Sequence, residues 1–301
     1  MNADALRREH YNATAVDVRR QHASLLVLRV RPDAPRPAYA AGQWLQLGLG
    51  LWEPRTSGVP EETLAPAAMQ ELIQRSYSLS SAILAADADR LLEPEEETGY
   101  ELYIGFDRAR AAGRSGAALA ARLFTLEPGS RLWVAERPSG SYTLADVQPG
   151  DDVLFLATGT GEAPHNRMIW ELLRRRHRGR VASVVTVRRR EDLAYLPVHR
   201  RLMQLFPEYR YLGVATREPE SPGHRLQVML ETGKLEESAG IELEPGHCRV
   251  FLCGNAGMLG RPQTGEEGRV FPHPPGMIEL LERRGFHADD PGGRLHFERY
   301  G

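Results

Sequence analysis

Four groups of residues in this 301-residue chain have types and spacings that could do chemistry. Arg75-Ser76-Tyr77-Ser78 sets a cation and a flat ring two residues apart, with a hydroxyl after each. On a strand, alternate side chains project to opposite faces. One face then offers a guanidinium for a pyrophosphate and a ring for an aromatic ligand, and the other offers hydroxyls. Thr158-Gly159-Thr160-Gly161-Glu162-Ala163-Pro164 follows an apolar run and precedes a helical pattern. Glycines there let the main chain approach a dinucleotide pyrophosphate, the helix start supplies free N–H groups, and Pro164 suits a first helical turn. Arg188, Thr216-Arg217 and Arg225 fall at the ends of expected strands or just beyond. Guanidinium groups hold phosphate by paired, charge-assisted hydrogen bonds. The fourth group, Cys253-Gly254-Asn255-Ala256-Gly257-Met258, ends an apolar run in a glycine turn.

The elements that must position these groups change character halfway along the chain. Before about residue 140, short runs broken by Gly and Pro, at 24–30, 43–49, 74–80, 100–106 and 131–135, suit an antiparallel barrel. A helical run at 117–124 interrupts them. Residues 51–72 and 84–98, rich in Pro, Glu and Ala, read as surface insertions, the first with a short helix near 66–72. After Pro149-Gly150, strands at 152–157, 180–187, 209–215, 248–253 and 295–300 alternate with helices at 164–177, 197–206, 227–232 and 277–284. That alternation predicts a doubly wound parallel sheet. The expected division is an antiparallel β-barrel over 1–148 and an α/β domain over 149–301.

Bulk properties narrow the function classes. The chain is 42% hydrophobic and 26% charged, with net charge −2, so no basic excess points to nucleic acid. No apolar run approaches the roughly 20 residues that span a bilayer. Residues 1–10 are polar and mixed in charge, so no signal peptide is expected and the cytoplasm is the expected compartment. Cys248 and Cys253, five residues apart on one expected strand, point to opposite faces, which suggests neither a disulfide nor a metal site.

Taken together, in this order and at these separations, the motifs resemble those of the ferredoxin–NADP reductase superfamily of flavoproteins. Arg75-Ser76-Tyr77-Ser78 is similar to its Arg-x-Tyr-Ser signature, and the resemblance implies that Arg75 pairs with the FAD pyrophosphate, Tyr77 packs on the isoalloxazine and Ser78 sits near flavin N5, with Ser76 alongside. Tyr39-Ala40-Ala41-Gly42-Gln43 resembles the turn that opens a barrel strand in these proteins, and Tyr103-Ile104-Gly105 sits where a second flavin-lining strand belongs. Arg114-Ser115-Gly116 leads into a helix whose start is either a pyrophosphate site or a plain cap. The resemblance further assigns Thr160 and Tyr300 to FAD. Gly159, Gly161, Gly254, Asn255 and Met258 are assigned to NADP.

Arg188, Thr216, Arg217 and Arg225 match 2′-phosphate contacts of bacterial members, which implies NADP(H) over NAD. An NAD site would tend to place a carboxylate on the ribose hydroxyls. Cys253 is expected near the nicotinamide, and Glu298 in an acid-relay position with Ser78 and Cys253, so these three are the candidate catalytic residues. Departures are Glu162, where the family is usually apolar, Gly301, where compact members carry tryptophan, and an insertion at 260–275. A carboxylate beside a pyrophosphate should point away or pair with an arginine, and His165 reads as a packing or capping residue. The implied activity is hydride transfer from NADPH to FAD by a monomer serving ferredoxin or flavodoxin, with no metal, nucleic acid or membrane partner. A reductase component for a separate oxygenase or other oxidoreductase, or a non-catalytic regulatory subunit, stays open as an alternative.

Overall fold

Continuous apolar stretches become buried parallel strands, and interrupted ones become the barrel. The computed structural model describes residues 2–63, 65, 67–85, 89–108, 115–219, 223–265, 268–287 and 293–300. The chain divides into two units: Met1–Ala82 with Leu92–Ser141, and Ile83–Leu91 with Tyr142–Gly301. The division falls ahead of Pro149-Gly150, and part of the 84–98 insertion goes with the second unit.

In the first unit, helix α1 (Ala3–His10) leads into β1 (Ala13–His22), β2 (Leu25–Pro32), β3 (Trp44–Gly50), β4 (Leu72–Ser80) and β5 (Tyr100–Gly105). Helix α2 (Ser115–Leu123) and β6 (Arg131–Val134) complete it. The strands close a barrel in the order β1-β2-β5-β4-β3-β6. Leu26, Leu28, Leu45, Leu47, Leu102 and Leu132 fill its interior, each fully buried. Neither α1 nor β1 is expected from the sequence. In β1 only Ala13 and Ala15 are buried, and the polar run from Asp17 to His22 erases the alternation that marks a strand. Helix α1 is N-capped by Asn2, whose side chain accepts from the Ala5 N–H at 2.9 Å. Tyr11 then anchors it, its hydroxyl accepting from Gly50 N–H at 2.8 Å and donating to Glu53 at 2.9 Å.

The insertion at 51–72 is tied to α2. Thr56 N–H donates to Ala121 C=O at 2.8 Å, and the buried Arg122 donates to Leu51 C=O at 3.0 Å and to Glu62 at 2.8 Å. Among its described residues the one helical turn is a short 3-10 piece, Ala68–Gln70, and a second, Pro94–Glu96, lies in the other insertion.

The second unit contains β7 (Asp152–Thr158), α3 (Glu162–Arg174), β8 (Val181–Val187), α4 (Leu196–Leu205), β9 (Tyr209–Ala215), α5 (Leu226–Glu231), α6 (Lys234–Ala239), β10 (Cys248–Gly254) and α7 (Ala256–Leu259). A hairpin of β11 (Gln263–Gly265) and β12 (Gly268–Val270), helix α8 (Met277–Glu282) and β13 (Leu295–Arg299) follow. The main sheet is parallel in the order β13-β10-β7-β8-β9. Strands β8 and β10 are buried along their whole length, as in a sheet covered on both faces. Successive strands step one way from β7 to β8 and β9, and the other way to β10 and β13. The switch point is therefore between β7 and β10. The expected long strands and helices are present, with ends shifted by up to about three residues. Short elements were not anticipated: α6 is a six-residue polar helix between Gly233 and Gly240, α7 is a single turn, and the 260–275 insertion carries the hairpin.

Candidate functional site

At the carboxyl ends of β7 and β10 two glycine turns pack against each other. Residues Gly159–Gly161 make one 3-10 turn between β7 and α3. A Cβ on Gly161 would stand 2.2 Å from the Cys253 carbonyl oxygen, so only glycine lets this turn lie against β10. Gly254 has φ +159, and a Cβ there would meet Thr158 Oγ1 at 2.1 Å. Thr158 Oγ1 accepts from Asn255 N–H at 3.1 Å and from its side-chain amide at 3.0 Å, tying the two turns together. Asn255 in turn caps α7, accepting from Met258 N–H at 3.0 Å. Gly159, Thr160 and Gly161 thus lie beside Gly254, Asn255 and Met258. The 13-residue helix α3 starts there, a cradle of main-chain N–H groups that suits a pyrophosphate.

The arginines assemble at the next strand ends. Thr216 N–H donates to Val187 C=O at 2.9 Å, and Arg217 N–H donates to Arg188 C=O at 2.9 Å. Arg188 and Arg217 are therefore neighbours across β8 and β9. Arg225 is the residue before α5, and Gly223, two residues earlier, donates to Ala215 C=O at 2.8 Å, which returns the chain to the end of β9. All three arginines are exposed. The chemistry of this set, three exposed arginines at and beyond adjacent strand ends, fits a phosphate on a ribose.

Cys253, Glu298 and Tyr300 also come together. Cys253 pairs with Glu298 across β10 and β13, and Tyr300 N–H donates to Gly254 C=O at 2.8 Å. Burial pushes the Cys253 thiol well above its ordinary range, and the Glu298 carboxylate adds to the effect. At neutral pH this cysteine is a thiol, not a thiolate. On the same sheet face, Phe251 stacks on His296, with ring centroids 4.6 Å apart, and packs against Phe155 and Tyr142. The Tyr142 hydroxyl shares a 2.8 Å hydrogen bond with His165 Nε2. Burial drives the His165 pKa down to about 3, so the ring is neutral and packs, as a residue in the first turn of α3, against Phe155.

In the first unit, Arg75 and Tyr77 stand opposite Leu47 and Leu45 across β3 and β4. Tyr77 packs on the barrel core, and burial raises its hydroxyl pKa. Ser78 is buried and Ser76 exposed. On β5, Tyr103 and Ile104 are buried and Gly105 is exposed. Ile104 belongs to the barrel core, which leaves its main chain rather than its side chain for a ligand. Arg114 and Gly301 lie outside the described residues, while Ser115 and Gly116 begin α2.

Glu162 turns away into the interior, the first of the two arrangements expected of it. It is fully buried in the first turn of α3, and its partners among the described residues are Tyr211, whose hydroxyl donates at 2.9 Å, and His199 Nε2 at 3.1 Å, rather than an arginine. Sequence reading missed His199, Asn166, Tyr209 and Tyr211. The one available signal was a carboxylate where a turn should be apolar.

The family model described as the oxidoreductase NAD-binding domain matches residues 155–263. Ferredoxin–NADP reductase A of Sorangium cellulosum is 30% identical over 183 residues, covering 58% of this chain and 60% of its own length. The ferredoxin–NADP reductase of Pseudomonas aeruginosa is 31% identical over 153 residues, 47% of this chain and 58% of its own. The chain thus spans about three-fifths of the length of these curated relatives. In fold it is similar to a crystal structure of a ferredoxin NADP+ reductase from Neisseria gonorrhoeae with bound FAD and NADP. The TM-score is 0.67, at 19% identity over 96% of this chain and 97% of that one. That likeness concerns the fold, a barrel followed by a parallel sheet. Over part of its sequence, and in its fold, the chain is similar to these ferredoxin–NADP reductases. Among the described residues, no helix is long and apolar enough to cross a membrane.

Proposed function

We propose that the chain is an FAD-dependent oxidoreductase that moves electrons between NADPH and a ferredoxin or flavodoxin, in the cytoplasm. The observation that carries this reading is the second unit's sheet edge. Two interlocked glycine turns lie at the switch point, Arg188 and Arg217 follow the next two strands, β8 and β9, and Arg225 precedes α5. A dinucleotide pyrophosphate and a 2′-phosphate are the ligands that this pair of features suits.

FAD, when bound, supplies the exchange between a two-electron hydride donor and a one-electron acceptor. The chain's own residues bind and orient. Arg75 is proposed to hold the flavin pyrophosphate, with the start of α2, and Tyr77 to pack on the ring system. Ser76, Tyr103, Ile104, Gly105 and Thr160 are proposed to line the cofactor. Gly159, Gly161, Gly254, Asn255 and Met258 are proposed to shape the nicotinamide nucleotide site, and Tyr300 to cover the flavin. Ser78, Cys253 and Glu298 are the proposed catalytic residues. The buried neutral thiol of Cys253 is suited to shape and polarity rather than nucleophilic attack, which leaves Ser78 and Glu298 to orient or move a proton.

An anaerobic titration of the purified protein, loaded with FAD, tests the reading. Flavin absorbance is expected to bleach at much lower NADPH than NADH. A preparation that takes up no flavin, or one bleached equally by both nucleotides, would overturn it.

A further inference from the structure

A buried polar network lies directly behind the glycine turn, and binding and hydride transfer as described leave it unused. Glu162, the first residue of α3, has no exposed surface, and neither do Asn166 and His199. Glu162 Oε1 accepts from the Tyr211 hydroxyl at 2.9 Å and lies 3.1 Å from His199 Nε2. The same Nε2 lies 3.1 Å from Asn166 Oδ1, so it faces two acceptors and carries a hydrogen. His199 Nδ1 shares a 2.9 Å bond with the Tyr209 hydroxyl, and the imidazole stacks on Tyr211 at 4.0 Å and 8°. Glu162 Oε2 is buried with no partner among the described residues.

A carboxylate buried this way is expensive unless its geometry is needed, and apolar replacements of buried ionic groups are often neutral or stabilising. Here the bonds join three particular elements. Glu162 and Asn166 belong to α3, which begins at the pyrophosphate turn. His199 belongs to α4. Tyr209 and Tyr211 belong to β9, whose end carries Thr216 and Arg217 beside Arg188. Strand β9 is the sheet edge, held by a ladder on one side only. Its two tyrosines are therefore a second anchor, and the anchor point is the turn's own helix.

We infer that Glu162, through Tyr211 and His199, is a positioning residue that sets the span between the pyrophosphate turn and the 2′-phosphate arginines, and so selects nucleotides that bridge both. The inference rests on the NADP reading above. It separates two kinds of ligand. NADP+ reaches from the arginines to the turn and feels the span; adenosine 2′-monophosphate meets the arginine end alone and does not.

Isothermal titration of the full chain with these two probes tests it. In Tyr211→Phe, which keeps the ring stack and loses the hydroxyl, the NADP+ Kd is expected to rise about 5-fold, in the range of couplings carried through packed networks. Binding of adenosine 2′-monophosphate is expected to stay within about 2-fold. Glu162→Leu is expected to exceed Tyr211→Phe in the same direction, and Glu162→Gln, which keeps an oxygen toward both partners, to restore NADP+ binding. Equal weakening of both probes, no change in either, or failure of Glu162→Gln to rescue would each overturn the inference. Wild-type protein that binds neither probe overturns the NADP reading instead, before any variant is compared.

Discussion

The two units build the edges proposed to face ligands by opposite means. At the sheet edge the main chain does the work. Gly161 lies against the Cys253 carbonyl and Gly254 against Thr158 Oγ1, contacts that no Cβ could share. On the barrel the work falls to side chains, Arg75 and Tyr77, which stand on an ordinary strand paired in register with β3. A main-chain site is fixed by close packing and admits almost no substitution. A side-chain site tolerates substitution of its scaffold and is sensitive to the charge or ring it presents. The difference teaches where specificity resides. The turn suits any dinucleotide, whereas the arginines at Arg188, Arg217 and Arg225 suit a phosphorylated one.

The largest expected effect comes from breaking the main-chain side. Gly161→Ala forces the turn off β10, because its Cβ would otherwise meet the Cys253 carbonyl at 2.2 Å. Overpacking of this kind costs about 1–3 kcal/mol. NADPH-driven bleaching of the flavin is expected to be lost while FAD stays bound, as absorbance would record. Retained bleaching would mean that the turn has room the glycine contact denies.

The matching test on the barrel is Arg75→Ala. Loss of a charge-assisted contact to pyrophosphate is expected to weaken FAD about 10-fold or more, read by flavin retained after gel filtration. NADP+ affinity of the FAD-loaded variant should be unchanged. If NADP+ weakens and FAD does not, the side-chain half of the comparison is misassigned.

Arg217→Ala and Arg225→Ala sharpen the comparison within the sheet unit. Each is expected to raise the NADPH KM about 10-fold and leave the NADH KM alone. Unchanged discrimination between the two nucleotides in both variants would remove the 2′-phosphate assignment.

How much of this was legible in the sequence depends on the range of the interaction. Strands β7, β8 and β10 are short continuous apolar runs bounded by turns, and the motifs at 75–78, 158–164 and 253–255 are contiguous, so both could be read locally. The barrel's first strand could not, because Asp17, Arg19 and Arg20 break the alternation. Nor could the buried network. Glu162 and Tyr211 are 49 residues apart, and Asn166 and His199 are 33 apart. Those pairings exist only after α3, α4 and β9 have packed. The same is true of Tyr142 and His165, a pairing of two residues that are each unremarkable alone.

The smallest expected effect on nucleotide binding lies at the opposite, amino-terminal edge of the sheet, where Asp151 holds three elements. Its Oδ2 accepts from Arg249 at 2.6 Å and its Oδ1 from Arg294 at 2.7 Å, while Gln148 N–H donates to Oδ2 at 2.8 Å. Burial works to raise the carboxyl pKa, and the Gln148 N–H with the two guanidiniums outweighs it, so the folded value lies below the ordinary one. A carboxylate depressed in this way contributes stability above its unfolded pKa of about 4, and loses it as pH falls through the lower folded value. Asp151→Asn keeps an oxygen and loses the charge. Its urea midpoint is therefore expected to fall below wild type by a nearly constant amount from about pH 5 to pH 8, with the gap narrowing below about pH 4. NADP+ affinity at pH 7 should not change, because the arginine clasp and the glycine turns occupy opposite ends of the strands. A gap that widens in acid would mean that the carboxylate is a burden in the fold. Loss of NADP+ binding would mean that the two ends of the sheet are coupled, and that the main-chain site is less self-contained than its packing implies.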